Sequence, residues 1–281
     1  MKLKKKNYLT LNYIRKTHYK NQNIKTKSFD IPVDINDWLK NPYTFLKSKY
    51  FIETSALIVF FAQFTKITPN NLTTLYIILG FLGGLFLASN NNYLIVLSSI
   101  IFFTKSSLDW GDGFLAKIKN QTSNLGHILD NWGAKVGTCS FLAGFGFYLY
   151  NKNNDEIFIL LLFFIIFLKA LDMKEYAYHL TMFNFLREKN KKKLLGELNF
   201  KTNFLFKKKS NNLLNIKNFF HGFIDDRSRT IDLIFLLILI DNFYYSITIL
   251  KYIYYYIAFK ALVIFCGGIY VTAYKKNIFK K

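Results

Sequence analysis

Residues 109–135 read DWGDGFLAKIKNQTSNLGHILDNWGAK, three carboxylates and several glycines between strongly apolar flanks. An ionisable side chain at membrane depth is costly unless it has a partner or faces water, which makes it a functional candidate by default. Three acids near the ends of two membrane helices repel one another unless a cation lies among them. Carboxylate oxygens are the ligands that Mg²⁺, Mn²⁺ and Ca²⁺ prefer, so a hard divalent ion is the economical expectation.

The flanks extend this membrane reading to most of the chain. The 281 residues are 52% hydrophobic and 19% aromatic, yet carry a formal net charge of +21. The basic residues are confined to certain stretches, and the remainder forms apolar runs of spanning length, roughly 17–25 residues each. Six spans are expected, at about 72–89, 93–108, 127–149, 156–172, 231–250 and 252–273. The second is short and polar at its far end, as suits a helix that delivers acids to a membrane surface. The predicted fold is therefore an all-α integral membrane protein with six transmembrane helices. A basic N-terminal segment, 1–66, precedes a membrane domain, 67–281, that carries a basic loop at about 173–230.

Charge distribution predicts the orientation. With both termini cytoplasmic, 33 of the 38 Lys and Arg residues fall on the cytoplasmic side. Only Lys152 and Lys251 lie opposite, while Lys135, Lys169 and Lys260 fall within spans. That asymmetry is what the positive-inside rule demands, and it places Asp109, Asp112 and Asp130 at the cytoplasmic interface. The basic excess then points to anionic lipid headgroups and not to nucleic acid, since no basic run is interleaved with a recognisable binding motif. The first 35 residues are polar and basic without an apolar core, so no cleavable signal peptide is expected. Residues 36–66 mix aromatic and aliphatic side chains with lysines, which suggests an interfacial helix; a cap packed on the bundle is the alternative. Cys139 and Cys266 both lie in spans and give no disulfide framework or zinc site. Gly83, Gly84, Gly144, Gly146, Gly267 and Gly268 are read as close helix contacts.

Within the opening stretch, Asp109 and Asp112 are three apart and share one face of a helix. Gly113 follows, where a side chain would obstruct a ligand or a neighbouring helix. Ala116 is small, Lys117 is a cation within reach of an anion, Gly126 opens the next span, and Asp130 lies one turn inside it.

This arrangement resembles the CDP-alcohol phosphotransferase family, whose signature is D-x2-D-G-x2-A-R-x8-G-x3-D-x3-D. Asp109, Asp112, Gly113, Ala116, Gly126 and Asp130 match in order and spacing. Residues 68–74, Thr-Pro-Asn-Asn-Leu-Thr-Thr, also look like the segment that commonly opens the family's first span. The resemblance covers about residues 66–273 and implies paired subunits, with Mg²⁺ or Mn²⁺ held by Asp109, Asp112 and Asp130. Gly113, Ala116 and Gly126 would leave room for the nucleotide of a CDP-linked lipid donor, and Lys117 would meet a phosphate. A small alcohol or sugar alcohol would be the acceptor and CMP the leaving product. Phospholipid or polar-lipid synthesis at the cytoplasmic face of a bacterial inner membrane is the implied setting.

Two positions depart from the signature. Lys117 replaces Arg, keeping the charge but losing the planar fork. Ala134 replaces the last Asp, which the family is taken to use as general base and metal ligand. No other acid occurs between Asp130 and Asp155. His127, one turn before Asp130, is the candidate substitute base, although a histidine at a helix start is commonly structural. Metal-bound water or the coordinated alcohol could also lose its proton without a dedicated base. Arg227 and Arg229, in the sequence DDRSRT before span five, could hold an acceptor phosphate; ordinary positive-inside flanking is the competing reading. Two functions stay open: a phosphotransferase, or a degenerate member that binds CDP-lipid or metal as a partner subunit. A small transporter fits less well, because the acids lie at one surface instead of a midplane site.

Overall fold

The structure is a computed structural model and describes residues 9–28, 42–173, 228–244 and 248–274. The described residues form helices and connecting turns. In chain order these are α1 (Leu11–Ser28), α2 (Pro42–Gln63), α3 (Pro69–Leu87), α4 (Asn92–Thr104), α5 (Ser106–Lys119), α6 (Asn124–Asn153), α7 (Ile157–Leu171), α8 (Ser228–Phe243) and α9 (Ile249–Tyr274). Three runs among them are long and apolar enough to cross a membrane: Pro69–Leu87, Asn92–Lys119 and Ile249–Tyr270. α7 is apolar but shorter, at 15 residues.

The chain divides into two compact units, Met1–Leu87 with Tyr93–Phe141, and Ala88–Asn92 with Leu142–Lys281. The first holds the acidic motif. Its α3 starts with Pro69 in the first turn, where a missing N–H costs nothing, and Thr68 Oγ1 accepts a bond from the Asn71 N–H at 3.3 Å. One face of α3 is buried through Leu72, Thr73, Tyr76, Ile77, Gly80, Gly83, Gly84 and Leu87. The opposite face exposes Leu75, Ile78, Phe81 and Leu85, an apolar surface that suits lipid and not water. At Gly84 a Cβ would run into the backbone oxygen of Ser140, so α3 and α6 meet backbone to backbone. Ser98 Oγ donates to the Gly83 carbonyl at 2.6 Å and ties α4 to the same helix.

α4 and α5 are nearly one helix, joined at Lys105 in helical geometry (φ −55°, ψ −32°). α5 ends at Asn120, which adopts the left-handed conformation (φ 53°) and donates its N–H to the Ala116 and Lys117 carbonyls. α2 and α3 both pack on α5, and α1 packs on α2. Ile14, Ala56, Val59, Ala62, Leu72, Phe114 and Leu115 form the resulting core. α1 is fastened to α2 by polar contacts: Arg15 forks onto Glu53 (Nε to Oε2 2.6 Å, Nη2 to Oε1 2.8 Å), and Tyr19 donates to the same carboxylate at 3.0 Å. Behind the acidic motif, His18 stacks on Phe114 with ring centroids 4.7 Å apart. The Lys119 ammonium lies 3.0, 3.1 and 2.7 Å from the carbonyl oxygens of Ala62, Thr65 and Ile67, capping the end of α2.

In the second unit, Asp241 near the end of α8 accepts from Tyr148 at 2.6 Å and pairs with Lys152 at 2.8 Å. Tyr254 of α9 packs edge-on against Phe145 at 5.2 Å and contacts Gly146.

Some expectations need correction. The run 231–250 is not one helix: α8 stops at Phe243 and α9 starts at Ile249. Its apolar composition concealed Asp241, which accepts from Tyr148 and pairs with Lys152 two residues before α8 ends. Gly267 is not a helix contact, since a Cβ there would meet nothing within 4 Å. Lys105, at the end of the second expected span, is buried. It is 7% exposed and lies under α3 and α6.

Candidate active site

α5 presents Asp109 and Asp112, and α6 presents Asp130. Asp112 is buried, 8% exposed, and a buried carboxylate needs a donor. Thr73 supplies it from α3, with Oγ1 2.5 Å from Asp112 Oδ2. Asp109 is half-buried and its carboxyl is in hydrogen-bond contact with that of Asp130. Asp109 feels the charges of both Asp112 and Asp130, and Asp112 feels that of Asp130. The three acids are thus brought together, as their spacing predicts.

Tyr76 stands behind them. Its ring packs where a side chain at Gly133 would sit, with Cε1 3.0 Å from that Cβ position. All three carboxylates act electrostatically on Tyr76. On one face of the same ring rests the Lys105 ammonium, 4.2 Å from the centroid. Thr73, Tyr76 and Lys105 were not legible as site residues. Thr73 and Tyr76 do lie one and two turns along the helix opened by the Thr-Pro-Asn-Asn-Leu-Thr-Thr segment, which was the available signal.

The other candidates are placed as follows. The Gly113 Cβ position faces open space, with nothing within 4 Å. A Cβ at Gly126 would lie 3.1 Å from Asn70 Oδ1. Ala116 is buried, and Lys117 is exposed. His127 is exposed, and its Nε2 lies 3.4 Å from Asn131 Nδ2, a contact within α6. Ala134 is exposed one turn beyond Asp130. Arg227 lies outside the described residues, and Arg229 belongs to the first turn of α8 without a described side chain.

Two carboxyl groups in hydrogen-bond contact need a proton or a cation between them. With Asp112 beside the pair, the donor set is all hard oxygen and suits Mg²⁺ or Mn²⁺. Among the described residues, no three His, Cys, Asp or Glu side chains already close around a common metal position. The chemistry of the donors fits a divalent ion; the arrangement is open compared with a finished cage.

The family model for CDP-alcohol phosphatidyltransferase matches residues 66–214, more than half the chain and the whole of the acidic motif. The chain belongs to the CDP-alcohol phosphatidyltransferase family. No curated protein matches the sequence. Members of this transferase family move a phosphatidyl group from a CDP-alcohol in lipid biosynthesis and generally depend on divalent metal. Integral membrane placement suits both the family and the three long apolar runs. The match begins just before α3, so α1 and α2 lie outside it.

Proposed function

We propose that this protein transfers a substituted phosphate from a CDP-alcohol, such as CDP-diacylglycerol, to an alcohol acceptor and releases CMP. The observation that carries the reading is the convergence of Asp109, Asp112 and Asp130 from two helices beside the open space at Gly113. In the transfer, the acceptor oxygen bonds to the phosphorus of the donor's lipid-linked phosphate while the phosphorus–oxygen bond to CMP breaks. Asp109, Asp112 and Asp130 would hold Mg²⁺ or Mn²⁺, which when bound supplies positive charge to the pyrophosphate and its leaving oxygen. Thr73 keeps Asp112 oriented through its 2.5 Å hydrogen bond. Lys117, exposed on α5, reaches toward a phosphate, and Gly113 leaves space for the nucleotide. Arg227 and Arg229 are assigned to an acceptor phosphate.

The acceptor's proton has no carboxylate at position 134 to receive it. His127 is the imidazole nearest in sequence to the acids and is assigned that role, with solvent as the competing acceptor. Ala134 also favours a second reading, in which the chain binds CDP-lipid or metal without turnover as a partner subunit. The apolar runs support six spans, and the lysine and arginine distribution supports cytoplasmic termini and a cytoplasmic-facing site. A bacterial inner membrane, contacts with anionic lipids and a homodimer complete the proposal.

The test is release of CMP from CDP-diacylglycerol by purified protein with Mn²⁺ and a panel of small alcohols and sugar alcohols. Release that depends on one acceptor, and is lost in Asp112→Asn, supports transfer. CDP binding without release for every acceptor favours the partner-subunit reading. Neither binding nor release overturns both.

A further inference from the structure

Helix α1 lies outside the family match, yet it is fastened to the helix that bears Asp109 and Asp112. It runs antiparallel along α2. The Gln63 side chain takes the Leu9 backbone at two points, accepting from its N–H and donating to its carbonyl, each at 2.9 Å. Farther along the contact, Glu53 holds Arg15 and Tyr19. Beside them His18 is buried, 2% exposed, with Nδ1 3.1 Å from Ser55 Oγ. Its ring stacks on Phe114 of α5, and Trp110 of the same helix lies 6.1 Å away. Trp110 follows Asp109 directly and Phe114 lies two residues past Asp112, so α1 meets α5 within a turn of both acids.

These contacts bury one side of α1 and leave Asn12, Tyr13, Lys16 and Lys20 exposed on the other. Among the described residues no acid pairs with Lys16 or Lys20. Residues 1–29 hold nine Lys and Arg and no acidic residue. Lys16 and Lys20 stand four apart, a like-charge spacing that destabilises a helix. A polar helix of 18 residues is marginal without support. An anionic surface relieves that repulsion and favours the docked helix.

α2 indicates which anion is at hand. Leu46, Tyr50, Leu57, Phe61 and Phe64 are exposed and fall on one stripe of α2, an apolar face that suits the acyl boundary of a bilayer. A helix fastened alongside is held near the headgroups. We propose that the outer face of α1, through Lys16 and Lys20, binds anionic lipid headgroups and thereby steadies the His18–Phe114 contact behind the acidic helix. The transferase then responds to the charge of its own membrane. That regulation rests on the transfer reading, while the lipid contact needs only the membrane placement.

The test uses the purified full-length protein in nanodiscs of phosphatidylcholine, alone or mixed with phosphatidylglycerol. Hydrogen exchange across α1 should slow at least about tenfold in the mixed discs, and Lys16→Gln/Lys20→Gln should lose most of that slowing. Equal exchange in the two discs, or slowing that survives unchanged in the lysine variant, would overturn the proposal. So would slowing produced by RNA added to neutral discs and not by phosphatidylglycerol, which would assign the face to a soluble polyanion. Coupling to α5 is read from the fluorine resonances of fluorotryptophan-labelled protein, with the Trp110 signal assigned through Trp110→Phe. That signal should shift with phosphatidylglycerol in the native chain and stay in place in the lysine variant and in His18→Leu. A signal unmoved in the native chain, or moved alike in either variant, would overturn the coupling. If His18→Leu does not accumulate, the native chain and the lysine variant decide the coupling alone. Where CMP is released, its rate should rise with phosphatidylglycerol in the native chain and stay flat in the lysine variant; a flat native response would overturn the regulation. A protein that releases no CMP defeats the transfer reading, and the exchange and fluorine measurements still decide the role of α1.

Discussion

The Thr73 hydroxyl donates to Asp112 across the contact between α3 and α5, with 2.5 Å between oxygens. The same oxygen lies 3.2 Å from the Pro69 carbonyl one turn earlier, but a hydroxyl has one proton and the shorter, charge-assisted contact takes it. A side chain on α3, the first helix of the family match, therefore sets a carboxylate on α5.

Thr73→Val keeps the shape and removes the donor. Asp112 then loses its side-chain donor and keeps only the backbone bond at Gly113 among those described, and CMP release should fall roughly 10–100-fold, the scale at which residues supporting metal ligands act. Thr73→Ser should retain most of the activity. Equal activity in Thr73→Val and the native protein would remove Thr73 from the site.

Asp130 is the acid contributed by α6, so its loss leaves the α5 pair without the opposing ligand. Asp130→Ala should weaken joint binding of CDP and Mn²⁺ by at least about tenfold. Isothermal titration reads this directly, and native-like affinity would refute the ligand assignment.

Position 134 separates the two functional readings. Ala134→Asp puts a carboxylate one turn beyond Asp130 and should raise CMP release by roughly 10²–10⁴-fold if proton removal limits the rate. A fall from robust native activity would instead mean that the site has been rebuilt around another base. His127→Ala should then abolish turnover while leaving CDP binding intact. Turnover indifferent to both changes assigns the proton to solvent.

The α1–α2 clasp is acid-labile. The hydrogen bond from Arg15, assisted by Tyr19, holds the Glu53 carboxyl below its ordinary 4.5. Its contribution is complete above that value and is lost as pH falls through the lower folded-state value. The pair is substantially exposed, which screens it and makes the effect modest. Hydrogen exchange in α1 should accelerate relative to α2 as pH falls below 4.5 once intrinsic rates are removed, and Glu53→Gln should erase the difference. A pH response that persists in Glu53→Gln would point to a different group.

Asp109, Asp112 and Asp130 were legible because a helix repeats its face every three to four residues, so spacing alone aligns the first two and a glycine marks the start of the helix that bears the third. Lys105 was not, because charge counting treats every lysine near a span end alike. Its burial depends on what is missing from two other helices, at Gly80 and Gly137. Single glycines in apolar runs signal a close approach without saying what approaches. α1 escaped for a related reason: its polar sequence has little apolar character, and its role emerges only against Glu53, Ser55 and Phe114.

Lys119 gives the chain an order of assembly. It is supplied by the last residue of α5, yet it satisfies the carbonyls of Ala62, Thr65 and Ile67, more than fifty residues earlier. During synthesis the turn after α2 emerges well before the cation that closes it; Thr65 serves the Ala62 carbonyl from within the turn, while those of Thr65 and Ile67 must meanwhile be served by water or lipid headgroups. The junction between α2 and α3 therefore remains provisional until the acidic helix has been completed behind it.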